Sequence, residues 1–538
     1  MPLEKLENLE DLVGMILDFY ATTIEKYYSR DIIAGLVAKM GIEELGEDDR
    51  RKVTERLRTA SVEQIETRIT SLVYVILGCL TIKPEKSSGL GPEEFVFETD
   101  VHGDLAALLN TLLRTGMVAF DGENPVGMVF YDPLEGREYS LGDLEVCRKG
   151  IGEASFIELM RRVQLLPSVI PTEKYGRYIN CGDFSDGAQQ SEQTIFLILR
   201  LGQMYSEQFP ESPSPRIIVG NHENFYIMGS ESSILDAIMC KNHTFSTDYN
   251  TSAEGISANS REKFRVIVEA IRAAVKGGSL CLVHRIGRTI FSHALITVEM
   301  IATLSGYFDS MVEAFQKSKG WNGSADRLLK GKIQNLAVEL RTLAVLVSKS
   351  KKLTEEQIEM LVVALNEFNI IRVELIERHE RMIGQSVNSE DTVPDMLPGE
   401  QGIVEIMNGG GSGRNHRGSI TWQRRSPETK EKNLIPGVKY ILGHDPSENN
   451  RKWIPAPEIG GRISYIDSFR SSCHNGGLTM AHYFLANGSL FKGEQVFSPD
   501  ISPFSETSAL TPKDIENRAL EGFKLVRSAL RIQIPSMT

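Results

Sequence analysis

Residues 215–223 read Pro-Arg-Ile-Ile-Val-Gly-Asn-His-Glu, a brief apolar run that stops on a glycine and then presents three polar side chains. Ile217, Ile218 and Val219 are stiff at χ1 and fit a pleated, buried strand. The same grammar recurs in Arg177-Tyr-Ile-Asn-Cys-Gly-Asp183, Arg288-Thr-Ile-Phe-Ser-His293 and Lys439-Tyr-Ile-Leu-Gly-His444. A further run, Glu94-Phe-Val-Phe-Glu-Thr-Asp100, leads into Val101-His102-Gly103-Asp104. Short strands whose ends carry chemistry are the pattern of an α/β sheet, where ligand-binding side chains gather beyond the strand ends.

Helical periodicity fills the rest. Asp104 to Gly116 is an amphipathic stretch that stops on a glycine suited to a C-cap. Residues 118–132, with Gly, Asn and Pro at their centre, read as a β-hairpin. Leu329, Ile333, Leu336, Leu340, Leu343 and Val347 step as a heptad seam, and Ile358, Leu361, Leu365, Phe368, Ile371 and Leu375 form a second one. Thr354 and Gln357 have capping-box spacing between the two. A helical hairpin is therefore expected, either packed on the core or standing out as a partner-binding arm.

The expected organisation is an N-terminal helical region (1–90), a core in two parts (91–320 and 419–505), the hairpin insertion (321–384), a linker (385–418) and a C-terminal helix or tail (506–538). Gly409 to Gly413, broken by Ser412, gives the linker its flexible reading.

Composition narrows the class. The 538 residues carry 59 Lys and Arg against 72 Asp and Glu, so the net charge is 59 − 72 = −13. A nucleic-acid binder needs a basic footprint, so none is expected as a partner. Six cysteines without CxxC spacing fit a reduced, cytoplasmic setting. No classical signal peptide opens the chain, and Leu72–Leu80, the longest apolar run, is half the roughly 20 residues of a membrane span. No membrane span is expected.

Residues two apart in an extended segment face the same side, so Asp100 and His102 can reach one ion. With Asp183, Asn221, His293 and His444 they supply carboxylate, imidazole and amide oxygen, a mixed set that suits Mn²⁺, Fe or Zn²⁺.

In this order the motifs resemble those of the metallophosphoesterases, in particular the phosphoprotein phosphatase family, whose series runs GDxHG, GDxxDRG, GNHE, HGG and GH. The resemblance covers roughly 92–300 and 415–500. It implies a calcineurin-like β-sandwich of two mixed sheets flanked by helices, and a phosphomonoesterase with two divalent metal ions, Mn²⁺ first, Fe or Zn²⁺ next. Asp100 and His102 would hold one metal, Asp183 would bridge, and Asn221, His293 and His444 would complete the other. His222 matches the family's general acid and Asp186 the residue that orients it.

The departures concern phosphate binding. Asp186 is followed by Gly187-Ala188 instead of an Arg-Gly pair, Val219 precedes the GNHE tetrad, and Ser292-His293-Ala294 keeps the ligand without the glycines. Arg424, with Arg425 as deputy, sits in a Trp-x-Arg stretch similar to one in bacterial and phage members and is expected to contact phosphate.

The hairpin between the fourth and fifth motifs is similar to that of the Wip-type bacterial effector phosphatases, which include a tyrosine-directed member. That likeness implies a phosphorylated protein substrate, delivery into a host cell and a protein partner for residues 325–380. A small-molecule phosphoesterase of the dinucleoside polyphosphate kind and a catalytically weakened binding scaffold are the alternatives.

Overall fold

A computed structural model describes residues 94–103, 105–120, 128–139, 163–185, 191–229, 251–252, 255–256, 258–317, 321, 324–349, 352–386, 396–406, 433–444, 463–465, 480–485 and 490–495, with single positions between 143 and 159. The helical region expected over 1–90 and the tail over 506–538 lie outside these residues.

Chain order begins β1 (Glu94–Glu98), α1 (Leu105–Arg114), β2 (Val118–Phe120), β3 (Met128–Asp132), β4 (Arg137–Tyr139), β5 (Gln164–Pro167), β6 (Val169–Pro171), β7 (Tyr178–Asn180). Next come α2 (Ser191–Gln208), β8 (Arg216–Ile218), α3 (Asn221–Met228), β9 (Thr251–Ser252), β10 (Gly255–Ile256) and α4 (Ala258–Lys276). Three strands follow: β11 (Leu280–Cys281), β12 (Val283–Ile286) and β13 (Thr289–Ser292). The helices α5 (Val298–Phe315), α6 (Ser324–Ser348), α7 (Glu355–Ser386) and α8 (Glu400–Glu405) come next. Last are β14 (Lys439–Leu442), β15 (Ile463–Tyr465), β16 (Met480–Leu485) and β17 (Leu490–Gln495).

The fold is mixed α/β. One sheet has six strands in the order β11-β8-β7-β1-β16-β17, and another has four in the order β12-β13-β14-β15. Both are mixed: β11, β8, β7 and β1 run parallel while β16 and β17 are antiparallel additions. In the smaller sheet β13, β14 and β15 are parallel and β12 is antiparallel.

Period two explains how β1 serves both faces of its sheet. Val96 joins the large apolar core shared with α1 and α2, whereas Phe97 points the other way. There Phe97, Ile179, Cys181 and Ile218 of the larger sheet meet Phe291 and Ile441 of the smaller one in a single buried cluster. The Phe97 and Phe291 rings lie edge to face, 5.6 Å apart. Burying one such side chain contributes about 1.5–3 kcal/mol, so this layer holds the two sheets face to face.

Residues 118–132 do not pair as the hairpin expected from their turn residues. β2 pairs with β6, and β3 pairs with β4 and β5. The reason is local: β3 has a closer partner across the tight turn to β4, and Val169–Pro171 offers β2 a strand of matching length.

The two heptad seams are buried at every position named above. Thr354 N donates to Gln357 Oε1 (2.9 Å) and Gln357 N to Thr354 Oγ1 (3.2 Å), the reciprocal capping box that starts α7. The hairpin lies on the core rather than standing out. Asn366 Oδ1 accepts from Leu282 N and Val283 N (2.8 and 3.1 Å), and Arg272 and Lys276 of α4 pair with Glu380 and Glu377 (both 2.6 Å).

The linker expected over 385–418 needs correction. α7 extends to Ser386, and Glu400–Glu405 is a helical turn. Ile403, Val404 and Ile406 are buried, and Val404 O accepts from Arg372 Nε (3.0 Å). These apolar side chains repay ordering, whereas the Gly and Ser composition behind the flexible reading begins only at Gly409.

Among the described residues no helix is long and apolar enough to cross a membrane. The described cysteines, Cys147, Cys181 and Cys281, are free thiols.

Candidate metal centre

The segments that follow β1, β7, β8, β13 and β14 meet at one place. Beyond β1 and β7 the backbones run together: Asp100 N donates to Gly182 O (2.9 Å), His102 N to Asp183 O (2.8 Å) and Gly103 N to Phe184 O (3.0 Å). From β8, His222 N donates to Asp183 Oδ1 (3.0 Å). From β14, His444 N donates to Asp100 Oδ2 (3.1 Å), joining residues 344 positions apart.

This convergence distorts the backbone where the chemistry sits. Asp100, His102, Asp183 and His444 have φ of 52°, 49°, 51° and 65°, and they are the non-glycine residues with positive φ among those described. Such conformations cost of order 1–3 kcal/mol each and persist only where the surroundings over-determine them. All four are ligands expected from the sequence.

Two glycines make the approach possible. A Cβ on Gly220 would collide with Asp183 Oδ1 and its backbone nitrogen, and one on Gly443 would collide with Thr99 Oγ1.

His293 shows how the donors are aimed. Its Nδ1 faces Cys181 O at 2.9 Å, so Nδ1 carries the proton and Nε2 presents a lone pair when the ring is neutral. Around Nε2 stand Asn221 Oδ1 (2.8 Å), Asp183 Oδ2 (3.2 Å) and His444 Nδ1 (3.2 Å). One proton cannot serve all of these contacts. A cation can.

The same Asp183 Oδ2 lies 3.6 Å from His222 Nε2, and His102 Nε2 lies 3.8 Å from Asp100 Oδ1. The His102 and His222 rings meet edge to face at 4.9 Å.

Two donor groups result, His102 with Asp183 and His222, and Asp183 with His293 and His444. Within each, the ligand atoms lie within 4.8 Å of one another, and every residue is buried. Donors about 2.1 Å from one ion at tetrahedral or octahedral angles stand roughly 3.0–3.4 Å apart. The Asp183 and His444 spacings around His293 Nε2 fall in that range, so this donor group could hold a metal ion.

Glu223, the last residue of the GNHE tetrad, braces the centre. Its Oε2 accepts from Gly220 N and Asp183 N (both 2.9 Å), and its Oε1 from Ser185 N (2.9 Å) and Ser185 Oγ (2.6 Å). The signal was present as capping-box spacing, since Glu223 is the third residue of α3 and reaches back to Gly220. Asp186, Arg424 and Arg425 lie outside the described residues.

The comparisons with known proteins add no relative. No family model, curated protein or solved structure matches the chain.

Electrostatics follow the crowding. Burial lowers the His293 pKa, but the Asp183 charge and hydrogen bond, with Asp100 and the Cys181 carbonyl, outweigh it and bring the value up to about 9. Burial raises the Asp183 pKa, and the charges of His222, His293 and His102 overcome that and hold it well below the usual range.

A raised imidazole pKa stabilises the fold below the unfolded value of 6.5, and that stability is lost as pH rises toward about 9. Protein stripped with EDTA is therefore expected to lose up to about 3 kcal/mol across that window. Protein saturated with Mn²⁺ should show no such loss, because the cation replaces the proton. Thermal unfolding at stepped pH, with and without Mn²⁺, measures both curves, and a flat metal-free profile would contradict the arrangement.

Proposed function

We propose that this protein is a dinuclear-metal phosphomonoesterase of the phosphoprotein phosphatase kind, acting on a phosphorylated protein. The observation that carries the reading is the convergence of Asp100, His102, Asp183, Asn221, His222, His293 and His444 on one buried locus. These residues come from five separate strand ends, and Asp183 is common to both donor groups. The calcineurin-like fold belongs to the same proposal. Its support is the pair of mixed sheets facing one another, with the donors just beyond their strands.

Asp100 and His102 would hold one ion, Asn221, His293 and His444 the other, and Asp183 would touch both. A bound pair of divalent ions supplies an activated water and neutralises charge on the phosphoryl oxygens.

The chain's own residues do the rest. The Cys181 carbonyl fixes the His293 tautomer, so Nε2 is the ligand atom. Glu223 holds the Asp183 backbone and the Ser185 segment, limiting reorganisation as charge develops. His222, at the first turn of α3 with its amide donating to Asp183, would give a proton to the leaving oxygen.

Turnover of p-nitrophenyl phosphate with added Mn²⁺, paired with metal analysis of the purified protein, tests the reading. The expected result is bound metal and turnover abolished by chelation. Protein that binds no metal and stays inactive with Mn²⁺ would leave a binding scaffold. Competing phosphotyrosine and phosphoserine peptides then sort the substrate, and preferred phosphoserine turnover would exclude the tyrosine-directed reading.

A further inference from the structure

A cavity of about 530 Å³ opens between α7 and the edge strands of both sheets, away from the metal centre. Arg216, the first residue of β8, lines it, whereas Asn221 and His222 lie past the other end of that strand. The volume falls in the range of small-molecule pockets. Leu280, Val362 and Ile370 give it an apolar wall.

Its lining carries two arginines, Arg216 and Arg285, and two carboxylates, Glu355 and Glu359. Arg285 is paired with Glu359 and also donates to Gly287 O (2.9 Å). Arg216 makes no ion pair or side-chain hydrogen bond among the described residues, and it also lines a neighbouring cavity of about 120 Å³. His284 adds no positive charge: burial first, then the Arg216 and Arg285 charges, bring its pKa down to about 3, so the ring is neutral.

An extended peptide is a poor occupant. The Leu282 and Val283 amides at this edge are held by Asn366 Oδ1, and Asn366 Nδ2 donates to Val283 O (3.0 Å). The side chain thus occupies the backbone groups that strand addition would need.

We propose that this cavity binds an amphiphilic organic anion, its carboxylate, sulfonate or phosphate group on Arg216 and its apolar body against Leu280, Val362 and Ile370. The site does not depend on the metal centre, so it can be tested in metal-free protein.

The probe is anilinonaphthalene sulfonate, titrated by fluorescence into the full chain in EDTA, beside its uncharged relative N-phenylnaphthylamine. Saturable one-to-one binding of the sulfonate is expected. Arg216→Gln should weaken it at least about tenfold, the scale of a charged hydrogen bond. Arg216→Lys should retain most of the affinity, and the uncharged probe should not distinguish these variants. Val362→Trp, which fills the cavity and leaves Arg216 in place, should weaken both probes.

Absence of saturable sulfonate binding to the unmodified protein would overturn the proposal. So would sulfonate affinity unchanged in both Arg216→Gln and Val362→Trp, or an equal loss of both probes in Arg216→Gln.

Discussion

Asp183→Asn is expected to release bound metal and lower kcat by at least about 10²-fold. The residue belongs to both donor groups, and its Oδ1 also receives the His222 amide. An asparagine keeps the size and the positive φ (51°), since Asn tolerates the left-handed region better than most residues. What changes is charge. Removing one negative charge from a site expected to hold two divalent cations weakens both, and the NH₂ group turns a ligand atom into a donor facing cations. Metal analysis after dialysis, beside turnover, measures the effect. Full retention of metal at full rate would remove Asp183 from the bridging position.

His222→Ala should separate the two functions. The expected result is kcat reduced by about 10²–10⁴-fold with metal content unchanged, because a proton donor is lost rather than a ligand. The loss should be larger for phenyl phosphate than for p-nitrophenyl phosphate, since the more basic leaving oxygen needs the proton more. His222 Nε2 lies 3.6 Å from Asp183 Oδ2, close enough that a ligand role is the competing outcome. Loss of metal in this variant, with equal effects on both substrates, would establish that role instead.

The legible parts of the sequence were those set by local physics. Tyr178-Ile-Asn180, Arg216-Ile-Ile218 and Lys439-Tyr-Ile-Leu442 became strands because β-branched and aromatic residues in short runs have few other stable conformations. The seams of α6 and α7 are buried because a 3.5-residue period places one stripe on one face. What failed depended on partners. The 118–132 segment has good turn residues, yet β2 pairs with β6 while β3 pairs with β4 and β5. The stretch around Glu400 was hidden because its helix forms only where Ile403 and Val404 find cover.

The candidate site divides in the same way. The donor types and their order along the chain were readable, since a carboxylate, an imidazole or an amide oxygen keeps its chemistry wherever it lies. Glu223 was not assigned, because its work is to hold the backbone of Gly220, Asp183 and Ser185, and bracing depends on neighbours in space.

By itself the sequence determined the strands that end at the site, the two heptad helices, and which side chains could bind a cation. Only the tertiary structure decided that they meet. The hydrogen bond from His444 to Asp100 and the contact between His293 and Asn221 each span long stretches of chain. A metal site needs its donors fixed to within a few tenths of an ångström. That precision comes from sheet register, facing sheets and strained backbone acting together, which no local stretch of residues encodes.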